Sequence, residues 1–195
     1  MDSVCCRAMG KLSVSFRCCH CGHCCTDVVC LPTPWDVIQL VKRTGADPYE
    51  FLEFVTPNQI EEVRKSDPSW LVCNGKRYIM ALRRDLNVCY FRDRKTNSCR
   101  AYEARPILCR LYPLAVHETR KGKFKSFTLH KRVGCPRQCD GVVETKPMYD
   151  LYCEDSRHQD DYFDLVEFFN HDKSPDKKPE DFIKLFIVRE KKSAK

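Results

Sequence analysis

A run of cysteines near the start of the chain constrains the fold more than any other feature. Residues 16–30 read FRCCHCGHCCTDVVC, in which Cys18, Cys21 and Cys24 are separated by two residues each. This spacing lets a turn direct consecutive thiolates at one centre, as in zinc knuckles and ferredoxin loops. Gly22 supplies the unusual backbone angles that such a loop needs. We therefore predict a metal-binding loop here.

The composition favours a metalloprotein in a reducing compartment. The chain holds 15 cysteines among 195 residues, and this odd number cannot pair completely in disulfides. Arg7 and Lys11 interrupt the apolar runs of the first 16 residues, so no secretory signal peptide is predicted. No stretch approaches the ~20 apolar residues of a membrane span. We therefore expect a cytoplasmic protein whose thiols serve a metal site or redox chemistry.

Local signals predict several helices. Thr33, Pro34 and Asp36 form a capping box that begins a helix, and Gly45 ends it. Asp47-Pro48 and Thr56-Pro57 have the same form and predict a second and a third short helix. The second is expected to direct Phe51, Leu52 and Phe54 inward, and the third extends to about Lys65. Helical patterns return over 147–169 and over 180–189, with a charged linker between them.

The middle of the chain predicts β-hairpins. Asn74-Gly75 lies between the apolar segments 70–73 and 77–82, which is typical of a type I′ turn. Residues 88–91 predict one further strand, and segments 112–118 and 124–129 predict a second hairpin.

The fold class predicted is α+β: short helices and β-hairpins around a cysteine-ligated metal centre, with C-terminal helices. We divide the chain into an N-terminal extension (1–15), a cysteine-cluster metal-binding domain (16–140) and a C-terminal helical segment packed on it (141–195).

These motifs resemble the YkgJ-type CxxCxxCC cysteine-cluster family. The signature is carried by Phe16-x-Cys18-x2-Cys21-Gly22-x-Cys24-Cys25, and Leu31-Pro-Thr-Pro-Trp-Asp36 resembles the family's first helix start. Its second half is matched by Cys89, Cys99, Tyr102, Arg105-Pro106, Cys109-Arg110 and Tyr112-Pro113. The resemblance covers about residues 16–136. It implies a zinc- or iron-chelating domain of a kind often described as containing an Fe–S cluster.

The resemblance also implies a set of metal ligands. That set is Cys18, Cys21, Cys24, Cys25, Cys89, Cys99, Cys109 and Cys135. The cysteines outside it are Cys5, Cys6, Cys19, Cys30, Cys73, Cys139 and Cys153. Of these, Cys19 and Cys30 are spare thiols near the loop that could replace a ligand. Cys153 lies in an amphipathic helical pattern, and we interpret it as an ordinary buried thiol.

Other side chains near the cysteines have two interpretations each. Arg105 and Arg110 bracket Cys109, where a cation would offset thiolate charge and donate hydrogen bonds to sulfur. The alternative is an ordinary surface salt bridge. His20 and His23 could bind zinc, or they could face solvent while the cysteines face inward.

The cofactor expected is an Fe–S cluster or zinc, in one or two centres. Neighbouring side chains in an extended loop point to opposite sides. We therefore predict that Cys24 and Cys25 belong to two different centres. A single polynuclear centre that uses both thiolates is the alternative.

The function that we rank first is an Fe–S protein with an electron-transfer or oxidoreductase-associated role and a protein or redox partner. A structural zinc module that mediates protein interactions is the alternative. A zinc module that binds RNA ranks last, on the basic and aromatic residues of 120–132. The sequence contains no dinucleotide-binding, P-loop, HExxH or GxSxG motif, and we assign no catalytic residue.

Overall fold

The computed structural model describes residues 14–17, 22–26, 28–60, 63–120, 122–130 and 138–187. The α-helices are α1 (Pro34–Thr44), α2 (Pro48–Phe51), α3 (Ile107–Leu111) and α4 (Thr145–His171). The strands are β1 (Val14–Arg17), β2 (Leu52–Val55), β3 (Leu71–Cys73), β4 (Lys76–Leu82), β5 (Arg84–Asp85), β6 (Val88–Cys89), β7 (Leu114–Glu118), β8 (Phe124–Leu129) and β9 (Gln138–Val143). Short 3-10 helices lie at His23–Cys25, Tyr102–Ala104 and Pro179–Phe182. The α+β class is confirmed.

Helix α1 begins and ends where its capping signals predict. The Thr33 hydroxyl accepts a hydrogen bond from the Asp36 backbone N–H at 3.3 Å, and the Asp36 carboxylate accepts one from the Thr33 N–H at 2.9 Å. At the other end Gly45 has φ 69°, a left-handed conformation that costs glycine nothing. The helix buries Val37 and Leu40 completely.

A three-stranded antiparallel sheet has the order β2-β4-β3. The predicted β3–β4 hairpin is confirmed, because Asn74 and Gly75 both have positive φ, as a type I′ turn requires. Of the helices predicted beside it, the second is confirmed only over Pro48–Phe51, as α2, and the third is wrong. Leu52 and Phe54, assigned to the second helix, pair with Leu82 and Met80 as strand β2. Residues 56–60 and 63–65 are not helical either.

Three two-stranded sheets complete the β structure of the described residues. The predicted second hairpin is formed by β7 and β8, and the strand predicted over 88–91 is shorter than expected, since only β6 pairs with β5. Strand β1 pairs antiparallel with β9, from Val14 with Val143 to Arg17 with Gln138. The sequence patterns did not indicate that last pairing.

The main apolar core lies between α1, the three-stranded sheet, α4 and the C-terminal segment. Phe51, Leu71 and Phe182 have almost no exposed surface. The Asn170 side chain of α4 bonds both to the Val72 N–H at 2.7 Å and to the Trp70 carbonyl at 2.9 Å. These bonds fix α4 against β3. Residues 183–187 are helical and pack on the same core.

The aromatic residues of the β7–β8 hairpin pack against α4. The Phe124 ring lies 4.9 Å from the Tyr149 ring and 5.4 Å from the Tyr152 ring, and Phe127 is buried beside it. The aromatic residues that suggested base stacking are therefore used in packing. Among the described helices none has the length and apolar character needed to cross a membrane.

Candidate metal centre

A cavity of about 250 Å³ collects most of the described cysteines. We call it the cysteine cavity; its wall holds Cys24, Cys25, Cys30, Cys89, Cys99 and Cys109. Five of these six belong to the ligand set implied by the family resemblance, and Cys30 is the addition. Cys18, Cys21 and Cys135, together with His20, lie outside the described residues. His23 is described but does not line the cavity.

The first wall of the cavity depends on Gly22. This residue has φ 73°, and a Cβ placed on it would lie 3.0 Å from the Asn97 carbonyl oxygen. Only glycine allows both that conformation and that approach. The 3-10 helix that follows presents Cys24 and Cys25 to the cavity.

Cys24 and Cys25 lie on the same side of their backbone. Their sulfur atoms are 4.0 Å apart. The expectation that they point to opposite sides assumed an extended loop, and that assumption is wrong because the segment is a 3-10 helix. Both thiols therefore face one cavity.

The second wall is the segment from Cys89 to Cys99. Arg92 and Cys99 form an antiparallel bridge, and the Asp93 side chain accepts hydrogen bonds from the Lys95 and Thr96 backbone N–H groups. These contacts close a tight loop. Cys99 lies at the end of this loop, Cys89 accepts a backbone hydrogen bond from the Arg92 N–H at its start, and both cysteines line the cavity.

The third wall is helix α3, which carries Cys109. The N-terminus of α3 is capped from a distant part of the chain, because the Ile107 N–H donates to the Asp36 carboxylate at 3.0 Å. Asp36 is 2% exposed, and burial raises the pKa of its carboxyl. The same side chain thus caps α1 and fixes the position of Cys109 relative to it. The sequence predicted the cap of α1 but not the contact of Asp36 with α3.

Cys30 and Cys109 form a second close sulfur pair. Their sulfur atoms are 3.4 Å apart. Cys30 is 7% exposed, and its carbonyl oxygen accepts a hydrogen bond from the Leu82 N–H at 2.9 Å. The end of strand β4 therefore holds Cys30 in place.

Cationic groups lie around the thiols. Arg84 and Arg105 line the cavity. The Arg105 Nε donates to the Tyr102 carbonyl at 3.0 Å, and its guanidinium lies 3.8 Å from the Tyr102 ring centroid. Arg110, by contrast, is exposed and does not line the cavity. The sequence patterns did not identify Arg84 or Arg92. Arg92 could have been identified, because it lies three residues from Cys89, much as Arg105 lies four residues from Cys109.

The surroundings divide the thiols by pKa. The pKa of Cys24 is lowered to about 6, first because the Cys25 thiol donates a hydrogen bond to it and then because Arg105 and Arg92 are near. Burial raises the pKa of Cys89 to about 11 and also raises that of Cys99. The cavity therefore favours the thiolate of Cys24, whereas Cys89 and Cys99 keep their protons.

The donor set fits a thiophilic metal group. Within the described ranges, no three or more Cys, His, Asp or Glu side chains are arranged to hold a single metal ion. The thiols surround a cavity, and the close sulfur pairs Cys24–Cys25 and Cys30–Cys109 lie at different places on its wall. The Arg84 Nε is buried and has no hydrogen-bond partner in the described part of the chain, so it offers a donor to an anionic group.

Comparison with known proteins agrees with this donor set. Residues 17–139 match the model of the CxxCxxCC family, described as "Putative zinc- or iron-chelating domain". The chain belongs to the CxxCxxCC family. An uncharacterized protein of Methanocaldococcus jannaschii, MJ0661, is 30% identical over 154 residues, which cover 79% of this chain and 68% of that protein. No solved structure matches.

Two cysteines outside the cavity differ from each other. Cys73 is a buried thiol in strand β3, 3% exposed, and it does not line the cavity. Cys153 is half-buried and forms a disulfide bond. The interpretation of Cys153 as an ordinary buried thiol is therefore wrong. This CxxCxxCC protein keeps seven described cysteines free, and six of them line the cavity.

Proposed function

We propose that this CxxCxxCC protein binds a single polynuclear iron–sulfur centre in the cysteine cavity and serves in electron transfer or beside an oxidoreductase. The observation that carries the proposal is the convergence of six cysteines, from three separate segments, on one cavity of about 250 Å³. A mononuclear tetrahedral site uses four ligands. Six thiols around one cavity favour a larger inorganic core, which cysteine thiolates hold in proteins.

The residues of the cavity have separable roles in this proposal. Cys24, Cys25, Cys89, Cys99 and Cys109 supply thiolates, together with Cys18, Cys21 and Cys135 of the implied set. Arg84 and Arg105 place positive charge and N–H donors on the cavity wall, which raises the reduction potential of a bound centre. When bound, an iron–sulfur centre supplies one-electron redox chemistry.

The alternative is a structural zinc centre, and one observation favours it. Two thiolates bound to one tetrahedral zinc at ~2.3 Å are separated by about 3.8 Å. The Cys24–Cys25 and Cys30–Cys109 sulfur distances of 4.0 and 3.4 Å lie on either side of that value. In this case the metal stabilises the loops, and the protein acts by presenting a surface to a partner.

Anaerobic purification followed by metal, sulfide and absorption analysis decides between the two. Brown protein with iron and acid-labile sulfide in matching amounts supports the proposal. Colourless protein with zinc and no iron supports the alternative. Replacing Arg110, which lies off the cavity, by Gln is the matched control for Arg105→Gln. Only the latter should lower the reduction potential of an iron–sulfur centre.

A further inference from the structure

Cys30 is the cysteine of the cavity that the family resemblance does not account for. It is not part of the signature run, and no short spacing ties it to Cys24 or Cys25. Buried free cysteines are common in protein cores, where they pack as small apolar side chains. Cys73 shows that this protein contains such a thiol, since it is 3% exposed and away from the cavity.

Two features separate Cys30 from Cys73. Cys30 lines the cysteine cavity, and its sulfur lies 3.4 Å from that of Cys109. That sulfur distance is within about 0.5 Å of the ~3.8 Å separation of two thiolates on one tetrahedral metal. An ion can therefore lie ~2.3 Å from both sulfurs at once.

The two sulfur pairs lie at the two ends of one chain segment. Cys24 and Cys25 are 4.0 Å apart at its start, and Cys30 with Cys109 are 3.4 Å apart at its end. Each pair can therefore coordinate one metal ion with both of its sulfurs.

We propose that Cys30 is a metal ligand that pairs with Cys109. The inference rests on the proposed function, because it assumes that the cavity holds a metal. On binding, the Cys30 thiol gives its proton to solvent and its sulfur forms the metal bond. No electron is transferred in that step. Cys30 would then belong to the ligand set, and Cys73 would not.

The test compares Cys30→Ser and Cys30→Ala with Cys73→Ser and Cys73→Ala as matched controls in the same core. All are purified with their metal, and metal content and resistance to a competing chelator are measured. Because loss even of a residue outside the coordination shell costs ~10–100-fold in metal affinity, the Cys30 variants should lose metal at least tenfold more readily than wild type. The Cys73 variants should retain it.

A wild-type measurement covers the case in which the Cys30 variants do not fold. In protein reconstituted with cadmium-113, through-bond coupling from the metal to the Cys30 Cβ protons identifies a ligand directly. Coupling to both Cys30 and Cys109 supports the inference. Coupling to Cys109 without Cys30 overturns it, as does unchanged metal retention in folded Cys30 variants. Wild-type protein that binds neither iron, zinc nor cadmium overturns the proposed function itself.

Discussion

The apolar core and the cysteine cavity lie side by side but are built in different ways. In the core, Phe51, Leu71 and Phe182 are enclosed by apolar side chains from helices and strands. The cavity shares Leu40 and Leu82 with that core, but its cysteines lie on loops and single turns, held by backbone bonds such as the one from Asp93 to Ser98 and by side chains such as Asp36. We infer that the core is stable by packing alone, whereas the cavity walls gain their stability from the metal.

The largest expected effect tests the core. Phe182→Ala removes a fully buried ring that contacts Tyr162, Phe169 and Phe186, so the free energy of unfolding should fall by about 3–5 kcal/mol. Phe168→Ala, at a ring 61% exposed, should change it little. Chemical denaturation measures both. Metal content per folded molecule should be unchanged in either variant, and a loss of metal in folded Phe182→Ala protein would show that the two regions are not separable.

Asp36 links the two regions and should give the next largest effect. Asp36→Ala leaves the Thr33 and Ile107 N–H groups buried without their acceptor, which should cost about 2–4 kcal/mol. Metal retention should also weaken, because α3 and Cys109 lose their anchor. Asp47→Ala, at the more exposed cap of α2, is the control for cap loss alone. If Asp36→Ala binds metal as tightly as Asp47→Ala, the anchoring role is wrong.

Asp155 of α4 should make stability depend on pH. Burial, and then the Asp36 and Glu154 carboxylates, raise the pKa of Asp155 to about 7, and its Oδ1 has no hydrogen-bond partner in the described part of the chain. The folded state therefore holds a proton that the unfolded state, with a carboxyl pKa near ~4, releases. This stabilisation is complete below ~pH 4 and is lost as the pH rises to about 7.

Asp155→Asn should therefore become more favourable as the pH rises. We expect a gain of about 1–2 kcal/mol over wild type at pH 8 and a smaller gain at pH 5. Asp160→Asn, at an exposed position on the same helix, should show no such difference. Thermal melts at the two pH values measure it. An equal effect of Asp155→Asn at both values would contradict the burial of an ionised carboxylate.

The smallest effect concerns charge at the cavity. In metal-free protein, Arg105→Gln removes a cation that favours the Cys24 thiolate, so the pKa of Cys24 should rise by less than about one pH unit. The pH dependence of alkylation, followed by mass spectrometry, reports it. Arg110→Gln should leave the alkylation profile unchanged. A shift of the same size in both variants would mean that the net charge of the protein, rather than the cavity wall, sets the reactivity.

The parts that the sequence predicted are those with local causes. The caps of α1 and the Asn74-Gly75 turn act over a few residues, and both were found. The Thr56-Pro57 signal failed because its hydrogen bond, from the Thr56 N–H to the Gln59 side chain, forms a turn that does not continue as a helix. Strand β2 was missed because it exists only through pairing with β4, which is distant in sequence.

The cavity was predicted in its chemistry but not in its geometry. Spacing identified Cys24 and family resemblance identified Cys89, Cys99 and Cys109, all of which line one cavity. The common direction of Cys24 and Cys25 could not be seen, because it follows from the left-handed Gly22 and the 3-10 turn after it. The Cys30–Cys109 contact joins residues 79 positions apart, so no local pattern contains it.

The most direct test of the account is hydrogen exchange on the metal-loaded protein and on the same protein after chelation. We expect metal removal to reduce amide protection in 22–30, 88–100 and 107–111, where the cavity walls lie. Protection should be retained in 71–82 and 162–171, which belong to the apolar core. An equal loss of protection in both regions, or no loss in the cavity walls, would contradict the division of the molecule into a core stabilised by packing and a cavity stabilised by metal.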